Sequence, residues 1–172
     1  EDGLASNRIL SMKVDPSGAV WAAHEYSGVS RYKDGVWEKF LPPVTPDGGY
    51  EEPNSVNAMA FDSRGIGWFA CAEDSVVSFD GNVWKSYKET DGLASMNITS
   101  IAVDKNDRIW FGSNKEIYIY DGNSFSTIAV PEIFLITGVT SIVFDATGAA
   151  WCGSKGFCMI PGVTHYKGGL AR

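Results

Sequence analysis

Cysteine and histidine are scarce in this sequence, which limits the metal and disulfide chemistry that it can support. The 172 residues include three cysteines and two histidines. An odd number of cysteines does not form a complete disulfide framework, and the spacing of Cys71, Cys152 and Cys158 fits no zinc pattern. We therefore expect buried free thiols, no metal site and no cofactor.

The sequence also lacks an excess of positive charge and any long apolar run. Its formal net charge is -7, whereas a protein that binds nucleic acid needs a basic surface to neutralise phosphates. No stretch approaches the roughly 20 apolar residues of a membrane-spanning helix, and no signal peptide is recognisable. We therefore expect neither a nucleic-acid partner nor membrane insertion. Because the chain opens with Glu1, we expect a processed product or an excised piece.

Aromatic residues and glycine are abundant, and one pattern made from them recurs four times. Aromatic residues make up 13% of the chain, and there are 19 glycines. An aspartate precedes a tryptophan by six residues in each of four units, at Asp15 and Trp21, Asp62 and Trp68, Asp104 and Trp110, and Asp145 and Trp151. A repeat of about 40 residues with short β-rich segments is typical of propeller blades that contain four strands.

Hydrophobic alternation places a strand before each aspartate and predicts an all-β fold. We predict a β-propeller of four four-stranded antiparallel blades, with the first strand of each blade innermost. The predicted blades span about 4–40, 54–87, 93–128 and 137–167, within a single array over 1–172. In the fourth unit, we assign 157–160 to the third strand and 163–166 to the fourth, outer strand.

The turn after each first strand has a sequence that is typical of a type I turn. Aspartate stands first and glycine fourth in three units, where the carboxylate caps the backbone and glycine takes a left-handed conformation. The third unit has Asp107 at the glycine position. We expect Asp107 to adopt the same positive φ, which aspartate tolerates better than most residues.

The third unit joins these features into one motif. An Asp-Gly-Leu link and a strand precede Asp104, and Trp110-Phe111-Gly112-Ser113 and a Tyr-Asp-Gly hairpin follow. This order resembles the two-component regulator propeller repeat, and it is more loosely similar to streptogramin lyases. The first resemblance implies a sensor region of a bacterial histidine kinase and a periplasmic or extracellular location.

Four blades leave two apolar faces that must be covered. One solution is a closed four-bladed ring, and the other is half of an eight-bladed dimeric ring that a second copy completes. Blades of the resembled family normally close at higher numbers than four, which favours the homodimer.

Candidate contact residues lie in the segments that differ between units, because the scaffold positions repeat. These segments are the loops between second and third strands, and a long proline-containing link over 41–53. The ligand-binding candidates are His24, Glu25, Tyr26, Tyr50, Glu51, Glu73, Asp74, Lys115 and Lys155. The apolar link before the fourth unit supplies Ile133, Phe134 and Leu135 as interface candidates.

These residues predict a binding module for a small molecule or a protein partner. The aromatic and acidic loops suit a carbohydrate, a choice that rests on the resemblance. An alternative is a lyase-like enzyme in which His24 pairs with Glu25 or Glu73, although no sequence pattern specifies that geometry and we assign no catalytic residue. A second alternative is a structural assembly module.

Overall fold

Short β-strands joined by tight turns make up almost all of the described chain. The computed structural model describes residues 3–43, 55–71, 75–93, 97–114, 116–129 and 138–154, together with the backbone of 163–166. In chain order the strands are β1 (Ile9–Val14), β2 (Val20–His24), β3 (Val29–Lys33), β4 (Val36–Phe40), β5 (Val56–Phe61), β6 (Gly67–Cys71), β7 (Ser75–Phe79), β8 (Trp84–Tyr87), β9 (Ile98–Val103), β10 (Ile109–Ser113), β11 (Glu116–Tyr120), β12 (Phe125–Ala129), β13 (Ser141–Phe144), β14 (Ala150–Gly153) and β15 (Val163–Tyr166). A single turn of 3-10 helix spans Glu89–Asp91.

The strands form four antiparallel sheets in sequence order, which we call blades 1 to 4. Blades 1, 2 and 3 have four strands each, and the described part of blade 4 has three, β13, β14 and β15. The innermost strands pack successively, with β1 against β5, β5 against β9, and β9 against β13. The all-β prediction is therefore confirmed.

One predicted strand position is wrong. We assigned 163–166 to the outer fourth strand of blade 4, but β15 pairs directly with β14, and Trp151 lies opposite His165. The segment 163–166 is thus the third strand of the blade. Its residues fit a strand at either position, so the sequence pattern did not determine its partner. The segment 157–160, predicted as the third strand, lies outside the described residues.

The repeated aspartate organises each turn, and in blades 1, 3 and 4 it also accepts a hydrogen bond from the tryptophan six residues later. In blade 1, one oxygen of Asp15 accepts the backbone N–H groups of Ser17 and Ala19 at 2.8 and 3.1 Å. The other oxygen accepts the indole N–H of Trp21 at 2.9 Å. Asp107 has φ 58°, as predicted for its left-handed position. The six-residue spacing is therefore the distance that lets one carboxylate cap the turn and bind the indole.

Tryptophan fills the junction between each pair of consecutive blades. Trp21 packs on the apolar face of blade 2, next to Phe61 and Phe69. Trp68 packs in the same way on blade 3, and Trp110 packs on blade 4. Three clusters of buried side chains thus lie at the junctions of blades 1–2, 2–3 and 3–4, and burial of these large side chains is the main stabilising term.

The outer faces of blades 1 and 4 are uncovered in the part of the chain that the structure describes. Met12 on blade 1 is 54% exposed, whereas its counterpart Met59 on blade 2 is 1% exposed. Trp151 on blade 4 is 38% exposed, whereas Trp110 is 3% exposed. No cluster of the described core joins blade 4 to blade 1, so the blades form an open arc and the closed four-bladed alternative is not observed.

In blades 3 and 4 a glycine, Gly112 or Gly153, stands two residues after the repeated tryptophan and offers a test of how tightly the blades pack. A Cβ atom on Gly112 would lie 2.8 Å from the carbonyl oxygen of Val139 on the next blade, and it would also meet Ser100 Oγ. We expect Gly112→Ala to lower the free energy of unfolding by about 1–3 kcal/mol, because backbone atoms cannot move aside easily. Chemical denaturation measures this change.

Gly153 is the matched control, because it occupies the same position in blade 4. A Cβ atom there would meet chiefly the hydroxyl of Ser141, a side chain that can rotate. The expected loss for Gly153→Ala is smaller than for Gly112→Ala. Equal losses in the two variants would show that contact with the next blade does not determine the cost.

Candidate functional site

The inner side of the arc carries a cavity of about 510 Å³, which we call the concave cavity. The C-terminal ends of all four innermost strands line it, through residues 13–16, 60–61, 101–103 and 142–144. All four blades therefore contribute to this surface. Its volume lies within the range of small-molecule sites in proteins.

Apolar side chains dominate the concave cavity, with one cation and one carboxylate at its edge. Lys13 supplies the ammonium group and Asp15 supplies the carboxylate. Burial would raise the pKa of Asp15, but hydrogen bonds from Trp21, Ser17 and Ala19 outweigh it and hold that pKa below its ordinary value. Asp15 therefore stays ionised and committed to its turn, so Lys13 is the charged group with freedom to reach a ligand.

His24 is the last residue of β2 and is completely buried. Its Nε2 lies 2.9 Å from Ser30 Oγ, which already accepts the backbone N–H of Ala5 at 3.0 Å. Because a hydroxyl can accept two hydrogen bonds and donate one, the donor in the bond between Ser30 Oγ and Nε2 depends on the tautomer of the ring. Nδ1 makes no hydrogen bond of ordinary geometry.

The charge state of His24 follows from this burial. Burial lowers its pKa, the nearby backbone of Ser6 partly opposes that effect, and the positive charge of Lys39 adds to it. Glu25 does not pair with His24, because its carboxylate binds Arg8 at 2.8 Å. His24 and Glu25 are neighbours in the sequence, but their side chains bind different partners and form no acid–base pair.

Tyr26 adopts the left-handed conformation, with φ 62°, and its side chain is exposed. Its backbone N–H donates to Ser55 Oγ at 3.0 Å, which ties this turn to blade 2. The turn lies at the Ile9 end of β1, since Ile9 is paired with His24. The concave cavity lies at the Val14 end, so the predicted loop residues and the cavity occupy opposite ends of the blade.

The other predicted contact residues lie outside the described residues, and their roles stay predictions. They are Tyr50, Glu51, Glu73, Asp74, Lys115 and Lys155 for a ligand, and Ile133, Phe134 and Leu135 for an interface. Sequence reasoning missed the residues that line the concave cavity, such as Lys13, Phe61 and Val143. Their signal was present, because they occupy the ends of the predicted innermost strands.

The described ranges contain neither a cluster of metal-ligating side chains nor a membrane-spanning helix. There, no three histidine, cysteine, aspartate or glutamate side chains lie together in a group that could hold a metal ion. Within those ranges, too, the structure has no helix with the length and hydrophobicity needed to cross a membrane.

Comparison with known proteins supports the resemblance that the third unit suggested. Residues 92–115 match the family model described as "Two component regulator propeller". No curated protein sequence matches the chain.

Solved structures with the same fold include extracellular domains of bacterial one and two component systems, and lyases. The extracellular domain of a proposed one component system, BT4673 from B. thetaiotaomicron, is 20% identical, with a TM-score of 0.73 over 96% of this chain and 22% of that one. The extracellular domain of a proposed hybrid two component system, BT3049 from the same organism, is 23% identical, with a TM-score of 0.72 over 98% and 23%. Virginiamycin B lyase from Staphylococcus aureus is 15% identical, with a TM-score of 0.67 over 92% and 55%.

These structures confirm the β-propeller fold. The chain spans less than a quarter of the two extracellular domains and about half of the lyase.

The buried histidine predicts a pH dependence of stability. Because the pKa of His24 lies below its ordinary value of 6.5 in the folded chain, the unfolded chain takes up the proton first as pH falls. We expect the free energy of unfolding to be highest above about pH 6.5 and to decrease from there toward pH 5. In His24→Gln this decrease should be smaller, as measured by urea denaturation at each pH.

His165→Gln is the control, since it removes the other histidine of the chain. This variant should keep the pH dependence of the parent protein. An undiminished decrease in His24→Gln would show that the buried ring is not its source.

Proposed function

We propose that this chain is part of a sensor propeller of the two-component regulator type, located in the periplasm or outside the cell, and that it binds a small ligand. The match of residues 92–115 to the two-component regulator propeller carries this proposal. The structural likeness to two extracellular domains supports it and suggests the location. A sensor role requires a ligand or protein partner that changes the stability or the shape of the propeller.

The concave cavity is the proposed ligand site. All four innermost strands contribute to it, so a ligand there would contact every blade and stabilise their relative positions. Its apolar surface with Lys13 at the edge suits a ligand that has both apolar faces and polar groups. Carbohydrates have this character, and we propose them as the first class to test.

The enzyme alternative has less support among the described residues. His24 is buried, its Nε2 is occupied by Ser30, and no carboxylate is hydrogen-bonded to its ring. A general acid or base must reach the reacting group of its substrate. We therefore interpret the similarity between this chain and virginiamycin B lyase as a similarity of fold and not of activity.

Filling the concave cavity should remove ligand binding without disturbing the core. Val143 lines this cavity and is largely exposed, so Val143→Trp would occupy part of its space. Because Val143 lies opposite Trp151 on blade 4, light scattering must show that this variant has the same mass as the parent protein. We expect a carbohydrate that raises the melting temperature of the parent protein to lose most of this effect on Val143→Trp. Differential scanning fluorimetry over a panel of oligosaccharides and peptides measures the shifts.

Val36→Trp is the matched control, because Val36 on β4 is equally exposed and does not line the cavity. It should respond to the same ligand as the parent protein. Equal losses in both variants would exclude the concave cavity as the site. Turnover of a ligand in the panel would favour the enzyme, and an absence of any shift would favour the assembly role.

The uncovered faces of blades 1 and 4 support a further part of the proposal, a homodimer. Gly3 lies against Trp37 of blade 1 in the same way that Gly92 lies against Phe125 of blade 3. Gly92 belongs to the link between blades 2 and 3, and the next residue of that link, Leu93, is buried between these two blades. Blade 1 therefore has the features of a blade that follows another blade. In a solution of this 172-residue chain, a second copy is the partner that we propose, because it supplies the complementary Trp151 face.

Light scattering tests the homodimer directly. The parent chain should have twice the chain mass, and Met12→Lys should have the chain mass, because a buried unpaired ammonium group is unfavourable. Val36→Lys adds the same charge on the outer strand and should leave the mass unchanged. A parent chain that is monomeric at every concentration would contradict this part of the proposal.

A further inference from the structure

Blade 2 departs from the pairing between aspartate and tryptophan that the other blades share. The indole N–H groups of Trp21, Trp110 and Trp151 donate to their aspartates at 2.9, 3.2 and 3.0 Å. Trp68 is 2% exposed, and its Nε1 has no hydrogen-bond partner among the described residues. A buried N–H group without an acceptor is unfavourable, so this departure needs a physical cause.

The cause is Arg64, the third residue of the blade 2 turn. Its Nε and Nη2 donate to Asp62 Oδ2 at 3.1 and 2.6 Å, while Oδ1 accepts the backbone N–H groups of Arg64 and Ile66. The guanidinium group thus occupies the oxygen that binds the indole in the other blades. The corresponding turn residues elsewhere are Ser17, Asn106 and Thr147, which carry no charge.

Blade 3 shows that an arginine near the turn does not by itself displace the indole. Arg108 donates to Asp104 Oδ2 at 2.7 Å, and Trp110 still donates to the same oxygen. Arg108 lies four residues after its aspartate, whereas Arg64 lies two residues after Asp62. The position of Arg64 within the turn therefore makes blade 2 different.

Arg64 and Trp68 both line a cavity of about 330 Å³ between blades 2 and 3, which we call the blade 2–3 cavity. Lys85, Tyr87 and Tyr120 line it as well. The rings of Trp68, Tyr87 and Tyr120 lie 5.2 to 5.5 Å apart and form an aromatic wall. The cavity is separate from the concave cavity, with which it shares no lining residue.

Two cationic groups, Arg64 and Lys85, line this cavity together with one carboxylate, Asp80. Lys85 Nζ lies 4.7 Å from the centre of the Tyr87 ring and has no ion pair among the described residues. The side chain of Arg64 is 62% exposed, so it can leave Asp62 without rearranging the core. Asp80 is the carboxylate in the lining, and its Oδ1 accepts the backbone N–H groups of Asn82 and Val83.

We propose that the blade 2–3 cavity binds a small carboxylate-bearing ligand, and that Arg64 exchanges Asp62 for this ligand. The planar guanidinium group binds a carboxylate through two parallel hydrogen bonds, and Lys85 adds a second positive charge. Once Arg64 leaves, Asp62 Oδ2 can accept the indole N–H of Trp68, as Asp15 and Asp145 do in their blades. Binding therefore replaces the ion pair between Arg64 and Asp62 with one between Arg64 and the ligand, and it provides an acceptor for the buried indole N–H of Trp68.

This inference goes beyond the proposed function and does not rest on it. It concerns a different cavity, and it would hold for an enzyme or an assembly module as well. A failure here would leave the sensor proposal intact, since that proposal is tested through Val143 and a carbohydrate panel.

The indole resonance of Trp68 reports the exchange directly. The chain has six tryptophans, and a ¹⁵N–¹H spectrum of Trp68→Phe identifies the Trp68 signal by its absence. On addition of glucuronate, which carries a carboxylate, we expect this signal to move downfield as the N–H group gains an acceptor. Glucose has a similar ring without the carboxylate and should leave it unmoved.

Variants of Arg64 separate the exchange from a general effect of charge. In Arg64→Met, the Trp68 signal should already lie downfield in the absence of ligand. The affinity of this variant for glucuronate should be lower than that of the parent protein by a factor of about ten or more. Arg64→Lys keeps the charge but loses the two-pronged contact, so its affinity should also fall. Arg108→Met is the matched control in blade 3 and should bind glucuronate like the parent protein.

Three results would overturn the proposal. The first is an Arg64→Met variant that binds glucuronate as tightly as the parent protein. The second is an equal response to glucose, which would show that the carboxylate is not recognised. The third is a Trp68 signal that stays in place up to the solubility of glucuronate. Circular dichroism of each variant confirms that the fold is retained.

Discussion

The constraint on which this structure depends is that each blade is apolar on both faces. A four-stranded sheet of this kind is stable only when other blades cover it, and burial of the tryptophan on one blade against the phenylalanine-rich or isoleucine-rich face of the next supplies that cover. The order of the blades, the curvature of the arc and the position of the concave cavity all follow from this repeated contact. The same constraint explains why the uncovered faces of blades 1 and 4 are the most informative surfaces for assembly.

The aspartate of each turn links local structure to this packing. In blades 1, 3 and 4, one carboxylate oxygen caps the backbone of the turn and the other accepts the indole N–H of the tryptophan. Hydrogen bonds to the ionised form lower the pKa of Asp15, Asp104 and Asp145 in spite of any burial. The carboxylates therefore stay charged through the neutral range, and the tryptophans keep their orientation there.

The sequence predicted those features that local chemistry determines. The six-residue interval between Asp15 and Trp21 indicated a turn and its partner, and the left-handed conformation of Asp107 followed from the turn type. The burial of His24 could not be predicted, because it depends on the link near Ala5 folding back over blade 1. The pairing of β15 with β14 also escaped prediction, because alternation does not identify a strand's neighbour. The concave cavity required the curvature of four blades, which no single repeat encodes.

Arg64 changes how the repeat itself should be interpreted. Sequence reasoning placed specific function in the segments that fail to repeat and treated the turn as scaffold. Blade 2 keeps the repeated aspartate and tryptophan, yet one turn residue between them breaks the hydrogen bond that defines the scaffold. A repeat protein can thus acquire a local site within its most regular element. Blades 1, 3 and 4 keep the hydrogen bond between aspartate and tryptophan and maintain the fold, while blade 2 carries the unsatisfied indole N–H of Trp68. The intact copies also show which arrangement blade 2 would adopt if Arg64 were drawn away, so the alternative state is already present three times in the same chain.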